Sequence, residues 1–270
     1  QICGLSRKLF LLTLCCSKSR LSRLFNDFLC NTPYTFREQR CSVTSFGHGA
    51  LAIAEASMRA GAGRVCTYNL DEASELRMLG FRGPILVLGR IFPDDAARAV
   101  QLRVAVTVSK LKTAEALGRE ALAHRVRTNV HVKIEAGLNR LGLPPDDALP
   151  FIDHVRSIKG LALEGVYTHF PSADGPIAAG SDGSDTEQRF ERFVALADQA
   201  AVPLRHAANT ATLLRYPQMA LDLVRVGIGL YGISPGAVED DPFSGSSLEL
   251  QPVLAWKAML VDVHDVPQGE

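Results

Sequence analysis

From residue 46 onward, short apolar strands alternate with helical runs, and this alternation constrains the fold more than any other feature. Helical runs cover 50–60, 71–80, 94–101, 112–125, 145–158 and 186–200. Strand-like runs fall at 64–68, 84–89, 103–109, 129–137, 161–170, 203–210 and 221–232. A strand that returns through a helix to a neighbouring strand runs parallel to it. Several of the strands, such as PILVLG (84–89), are almost continuously apolar, as parallel strands buried on both faces are. Seven strands lie between 64 and 230, and the corner at 41–46 would supply an eighth. Eight βα units in about 250 residues predict an α/β chain, a (β/α)8 barrel of the TIM type.

The ends differ in texture. After Pro235 comes a loop-rich stretch, GAVEDDPFSGSSLELQ (236–251). VLAWKAMLVDVHDV (253–266) then alternates like an antiparallel strand. The expected division is an atypical leader at 1–44, the barrel at 45–235, and the beginning of a C-terminal β domain at 236–270. Leu254, Trp256 and Leu260 would there lack partner strands, and a barrel without its first strand would keep an unpaired edge.

The leader holds five of the six cysteines and seven Lys or Arg against Asp27 and Glu38. LFLLTLCC (9–16) has the look of a signal-peptide core, but Lys18 and Arg20 follow at once, with no small-residue cleavage site. The segment reads as a foreign leader or a stretch translated from another frame. With one cysteine beyond residue 41, the body reads as cytoplasmic with reduced thiols. A formal net charge of zero argues against nucleic-acid or anionic-membrane partners, and no apolar run approaches the ~20 residues of a membrane span.

The motifs sit at strand ends, on the face where such barrels place their chemistry. GIGLYG (227–232) matches G-x-G-x-x-G, but Pro235 and Gly236 follow it where a dinucleotide site needs a helix. A better reading pairs it with HAANT (206–210). Loops after strands 7 and 8 form phosphate sites in these barrels, with backbone N–H groups from Gly227 and side-chain donors from Asn209 and Thr210. A Gly-rich turn beside a satisfied Asn is the bland alternative. In HVKIEAGLNRLGL (131–143), alternation sends His131, Lys133 and Glu135 to one face and Val132 and Ile134 to the other. A lysine inside a barrel is costly unless paired or modified. Arg140 follows where the chain reaches the C-terminal face. His169 and His206 are strand-end histidines, structural or functional. No spacing fits a zinc site and no G-x-S-x-G elbow is present.

Taken in order, FGHGA, PILVLG, HVKIEAGLNRLG, GVYTHF with Ala173-Asp174, HAANT and LVRVGIGLYG resemble the alanine racemase family, fold-type III enzymes that use pyridoxal phosphate. The resemblance runs from about Phe46 to Glu270. It implies interconversion of L- and D-alanine for cell-wall supply, with pyridoxal 5′-phosphate as cofactor and a homodimer as the assembly. A racemase for another amino acid, or a D-amino-acid aldolase, is the same barrel with other loops. Position by position, Arg225 looks like the Arg facing the pyridine nitrogen. Asn209, Thr210, Gly227 and Ile228 look like the phosphate cradle. Arg140 looks like the Arg near the ring hydroxyl and substrate carboxylate, Lys133 like the Lys often carbamylated, and His169 like the His hydrogen-bonded to the pyridine-facing Arg.

Two departures stand out. Aligning Gly47-His48-Gly49 puts Ser42 where the family has its Schiff-base lysine, and a serine can neither form that link nor act as an amine base. Phe46 takes the cofactor-binding position of a Tyr whose hydroxyl helps hold the phosphate. The family's second base, a Tyr from the partner's β domain, would fall just beyond PQGE (267–270). No intact catalytic residue is therefore expected. The second reading is a non-catalytic barrel that binds pyridoxal phosphate.

Overall fold

In the computed structural model, residues 40–43, 49–171, 173–174, 184–236, 250–253 and 262 are described. Eight strands form one parallel sheet: β1 (Arg40–Val43), β2 (Arg64–Thr67), β3 (Ile85–Val87), β4 (Ala105–Val108), β5 (Thr128–Lys133), β6 (Leu161–Tyr167), β7 (Leu204–His206) and β8 (Leu223–Val226). The order is β7-β6-β5-β4-β3-β2-β1-β8. Its two ends meet: Asp222 N and Arg225 N donate to the carbonyls of Arg205 (3.1 Å) and Ala208 (2.9 Å), so the sheet closes into the expected barrel.

Among the described residues seven helices cross between strands: α1 (Ala50–Arg59), α2 (Leu70–Met78), α3 (Ala96–Gln101), α4 (Leu111–Ala123), α5 (Pro145–Ser157), α6 (Ser184–Ala200) and α7 (Thr210–Arg215). Strand alternation separates two interiors. Ile85, Val87, Val106, Val108, Val130, Val132 and Val166 join the helices' apolar faces in the large outer core. Cys66, Leu86 and Ala105 form a small apolar cluster apart from it. Burying the outer residues is the main stabilising term, about 1.5–3 kcal/mol for each large side chain.

The expected eighth strand is present. β1 pairs with β2 (Val43↔Val65) and along its whole length with β8 (Arg40↔Leu223 to Val43↔Val226). It lies inside the span set apart as a leader, so the barrel starts before residue 45 and this edge is paired. Several strands end sooner than their runs suggest, and in two the reason is plain. The run at 203–210 gives only Leu204–His206, because Asn209 caps α7, its side-chain oxygen accepting from Thr212 N at 2.9 Å; such a cap ends extended structure and starts a helix. The run at 221–232 stops at Val226, and Ile228–Tyr231 winds into a 3-10 turn. Val253 N donates to the Tyr231 carbonyl at 3.1 Å. Phe46, Leu254, Trp256 and Leu260 lie outside the described residues. No described helix is long and apolar enough to cross a membrane.

Candidate active site

β5 and β6 set the inner polar groups. Val130 faces Leu163 and His131 faces Gly165, so the register skips Glu164, the extra residue of a bulge. Bulges re-aim side chains, and this one brings the Glu164 carboxylate to His131 Nε2 (2.9 Å) and to Arg64 of β2 through two bonds of 2.9 Å. Gly165 makes the room: a Cβ there would stand 2.7 Å from His131 Nδ1. His131 Nδ1 lies 2.9 Å from His206 Nε2, and His206 Nδ1 lies 2.9 Å from Arg225 NH1. Burial pushes both histidines below their ordinary pKa, so they are neutral. Arginine only donates, so His206 accepts at Nδ1 and donates at Nε2 to His131 Nδ1. The His131 proton is then on Nε2, which donates to Glu164 at 2.9 Å, and the 3.2 Å approach of Arg64 NH1 to that nitrogen is a contact of two donors around one carboxylate. The donors run one way, from Arg225 to the carboxylate. Glu164 is held well below the usual carboxylate range by its bonds to His131 and Arg64, which outweigh its burial.

Above this layer lies Tyr167. Its ring stacks on His206 (4.7 Å, 11° between planes). Its hydroxyl lies 2.9 Å from Thr107 Oγ1 and donates to the Leu88 carbonyl at 3.1 Å. Burial raises its pKa to about 12. Lys133 Nζ and Arg225 Cζ flank the ring at 5.9 and 5.1 Å.

The strand ends open into a cavity of about 780 Å³. Every predicted site residue whose side chain is described lines it: Lys133, Arg140, His169, Asn209, Thr210, Arg225, together with Gly227 and Ile228. Ser42 is placed by backbone alone, in register between Arg64 and Arg225. Lys133 is buried as the last residue of β5. Burial, then the nearby charges of Arg140 and Arg225, lower its pKa to about 8. Arg140 rides on a loop pinned by Glu135 N to Leu143 O (2.8 Å) and Leu143 N to Lys133 O (2.9 Å). That loop turns through Gly137 and Asn139 at φ 101° and 52°, a region only Gly, and less readily Asn, enters cheaply.

Arg225 is almost wholly tied to the barrel wall. NH1 donates to His206 Nδ1 and to the His206 carbonyl (3.2 Å), and NH2 donates to the carbonyls of Thr168 (2.7 Å) and Ala207 (3.0 Å). Its Nε makes no hydrogen bond among the described residues, which leaves one donor for a ligand. Thr210 Oγ1 accepts from Gly227 N at 3.0 Å and from Gly229 N at 3.5 Å. Two loop N–H groups therefore converge on the hydroxyl at the first residue of α7, as they would on an anion.

One expected contact differs. The histidine bonded to Arg225 is His206, not His169. His169 Nε2 instead lies 3.5 Å from Asn209 Nδ2, and burial beside three cations lowers its pKa to about 3. His169 lies beyond the end of β6, whereas His206 ends β7 and pairs in register with Tyr167, which brings it to the guanidinium. Tyr167, Glu164 and Arg64 were not singled out from the sequence. Only Tyr167 carried a signal, two residues before His169.

An anionic, aromatic ligand that accepts at a ring nitrogen suits this chamber. Among the described residues, Lys133, Arg140 and Arg225 form no ion pair and Arg225 Nε makes no hydrogen bond, and loop N–H groups converge near Thr210. Comparison with known proteins bears on the family. The family model described as "Alanine racemase, N-terminal domain" matches residues 44–235. The chain is 37% identical over 230 residues to an alanine racemase of Desulforamulus reducens, covering 83% of this chain and 60% of that protein. An alanine racemase of Halothermothrix orenii is 33% identical, covering 83% and 58%. Among solved structures, an alanine racemase of Clostridium difficile 630 in complex with cycloserine superposes with a TM-score of 0.76 at 25% identity, covering 86% of this chain and 64% of that one. A histidine racemase of Leuconostoc mesenteroides gives 0.74 at 28%, covering 87% and 62%. The chain spans about 60% of the length of these relatives. With its (β/α)8 barrel, its strand-end motifs and these matches, the chain belongs to the alanine racemase family.

Proposed function

We propose that the cavity binds pyridoxal 5′-phosphate and serves the interconversion of L- and D-alanine. The observation that carries this reading is the meeting of eight predicted positions, from four separate stretches of chain, on the wall of one chamber. Asn209, Thr210, Gly227 and Ile228 would hold the phosphate. Arg225 would offer Nε to the pyridine nitrogen. Because a guanidinium keeps its proton, that nitrogen would stay unprotonated. Arg140, exposed at the rim, would meet the ring hydroxyl and the substrate carboxylate. Bound there, the cofactor supplies an electron sink for the substrate α-carbon. The neutral histidines hold Arg225 in place and take no charge near neutral pH. Phe46 would add an apolar contact beside the phosphate, and a homodimer is part of the proposal.

One feature favours a second reading. Residue 42, where the family has its Schiff-base lysine, is serine. A barrel that binds the cofactor without turning over an amino acid follows from it. One experiment separates the two: cofactor binding followed by fluorescence, with D-alanine assayed in the same samples after addition of L-alanine. Saturable binding with D-alanine above a buffer blank supports racemisation. Saturable binding without it supports the second reading, and no saturable binding sinks both. Histidine in a substrate panel tests the choice of amino acid.

A further inference from the structure

We propose that Lys133 is the amine through which this chain captures an aldehyde, taking the part that Ser42 cannot play. The proposal rests on the cavity accepting pyridoxal phosphate. Seven lysines occur in the sequence. Four are described, and three of these, Lys110, Lys112 and Lys159, are exposed. Lys133 alone of the four is buried, and it lines the cavity. Its amine makes no hydrogen bond or ion pair among the described residues. Its described surroundings are the Tyr167 ring at 5.9 Å, the charges of Arg140 and Arg225, and the Glu135 carboxylate, whose opposing effect is the smallest of the charges.

A buried ammonium that feels two guanidinium charges, offset only in part by Glu135, is disfavoured both by lost solvation and by like charge. The neutral amine is the nucleophile, and this kind of setting activates a lysine. Asn209, Thr210 and Gly227 line the same chamber as Lys133. A ligand anchored there by its phosphate would bring its carbonyl group into a space in which Lys133 is the one described lysine. The Nζ lone pair adds to the carbonyl carbon. The carbonyl oxygen gathers the two amine protons and leaves as water, and a C=N bond results. Borohydride then delivers hydride to that carbon and solvent a proton to the nitrogen, which fixes the link as a secondary amine.

The test uses the full chain, pyridoxal phosphate and borohydride, followed by trypsin and mass spectrometry. Trypsin does not cut after a modified lysine, so residues 128–140 should appear as one peptide carrying one cofactor residue. The adduct on Lys133 should exceed that on Lys110, Lys112 or Lys159 by at least ~10-fold near neutral pH, since an ordinary lysine titrates near 10.4. Pyridoxal without its phosphate should lose that preference. Lys133→Met should lose the adduct and keep saturable, non-covalent cofactor binding by fluorescence. Saturable binding with Lys133 unmodified overturns the proposal and leaves the cofactor site standing. Adducts concentrated on Lys8, Lys18 or Lys257, or spread evenly over exposed lysines, also overturn it. Absence of any saturable binding removes both readings.

Discussion

Two polar layers lie inside one barrel, and they are built on opposite rules. The lower layer, Arg64, Glu164, His131 and His206, pairs its own charges through a two-bond Arg–carboxylate pair and a directed string of hydrogen bonds, leaving Arg64 Nε without a partner among the described residues. The upper layer, Lys133, Arg140 and Arg225, gathers cations and provides no ion-pairing anion among the described residues. Buried charges persist when they are paired. The lower layer meets that condition within the chain; in the upper layer Lys133 and Arg225 are buried with no ion pair among the described residues, and Arg140 is exposed at the rim. Groups that break the burial rule in a cleft mark function, whereas those that satisfy it mark architecture.

The largest expected effect breaks the lower layer. Glu164→Ala leaves Arg64 and His131 without their carboxylate and should cost about 3 kcal/mol in denaturant unfolding. The wild-type contribution should be fully present above the ordinary carboxylate range and fade as acid titrates Glu164 down through its depressed folded-state pKa. A loss under ~1 kcal/mol would put the two layers on the same footing.

The next prediction sharpens the upper layer. An anion that binds only the folded barrel should stabilise it by about 2.7 kcal/mol at a hundredfold excess over its dissociation constant. Inorganic phosphate should therefore raise Tm where chloride at matched ionic strength does not. Arg140→Ala, which removes an exposed side chain, should reduce that gain. Equal responses to the two salts would mean the cations do not act as an anion site.

The smallest effect is a slope. Lys133 titrates near 8 in the folded chain and near 10.5 unfolded, so the unfolded state binds more protons between those values. Stability should rise with pH across that window, by at most ~1.4 kcal/mol per pH unit. Lys133→Met should flatten the rise, as seen in thermal unfolding from pH 7 to 10. An unchanged slope would mean Lys133 is not held in a charge-disfavouring site.

How much of this was legible in the sequence depends on the range of the contacts. The strand–helix alternation is local, and β2 to β8 fell on their predicted runs, whereas β1 begins inside the span set apart as a leader. Strand ends were harder: Asn209 and Gly227 look like continuations until the cap and the 3-10 turn are seen. The upper cavity could be read because its residues sit in short motifs at strand ends. The lower layer could not. Arg64, His131, Glu164 and His206 are far apart in sequence, and one bulged register turns Glu164 inward. The one local signal in LALEGVY is Gly165, since a glycine inside a strand often marks a bulge, but it does not say that Glu164 turns inward to meet His131 and Arg64.

The pairing of β1 with β8 has a consequence for synthesis. Parallel strands cannot close on each other locally, and long-range closure is slow. As the chain leaves the ribosome, β1 meets β2 early, but its other partner begins only at Leu223. Through most of translation the nascent barrel therefore carries an open edge at its oldest strand. The ring becomes a ring only when nearly all of it has been made.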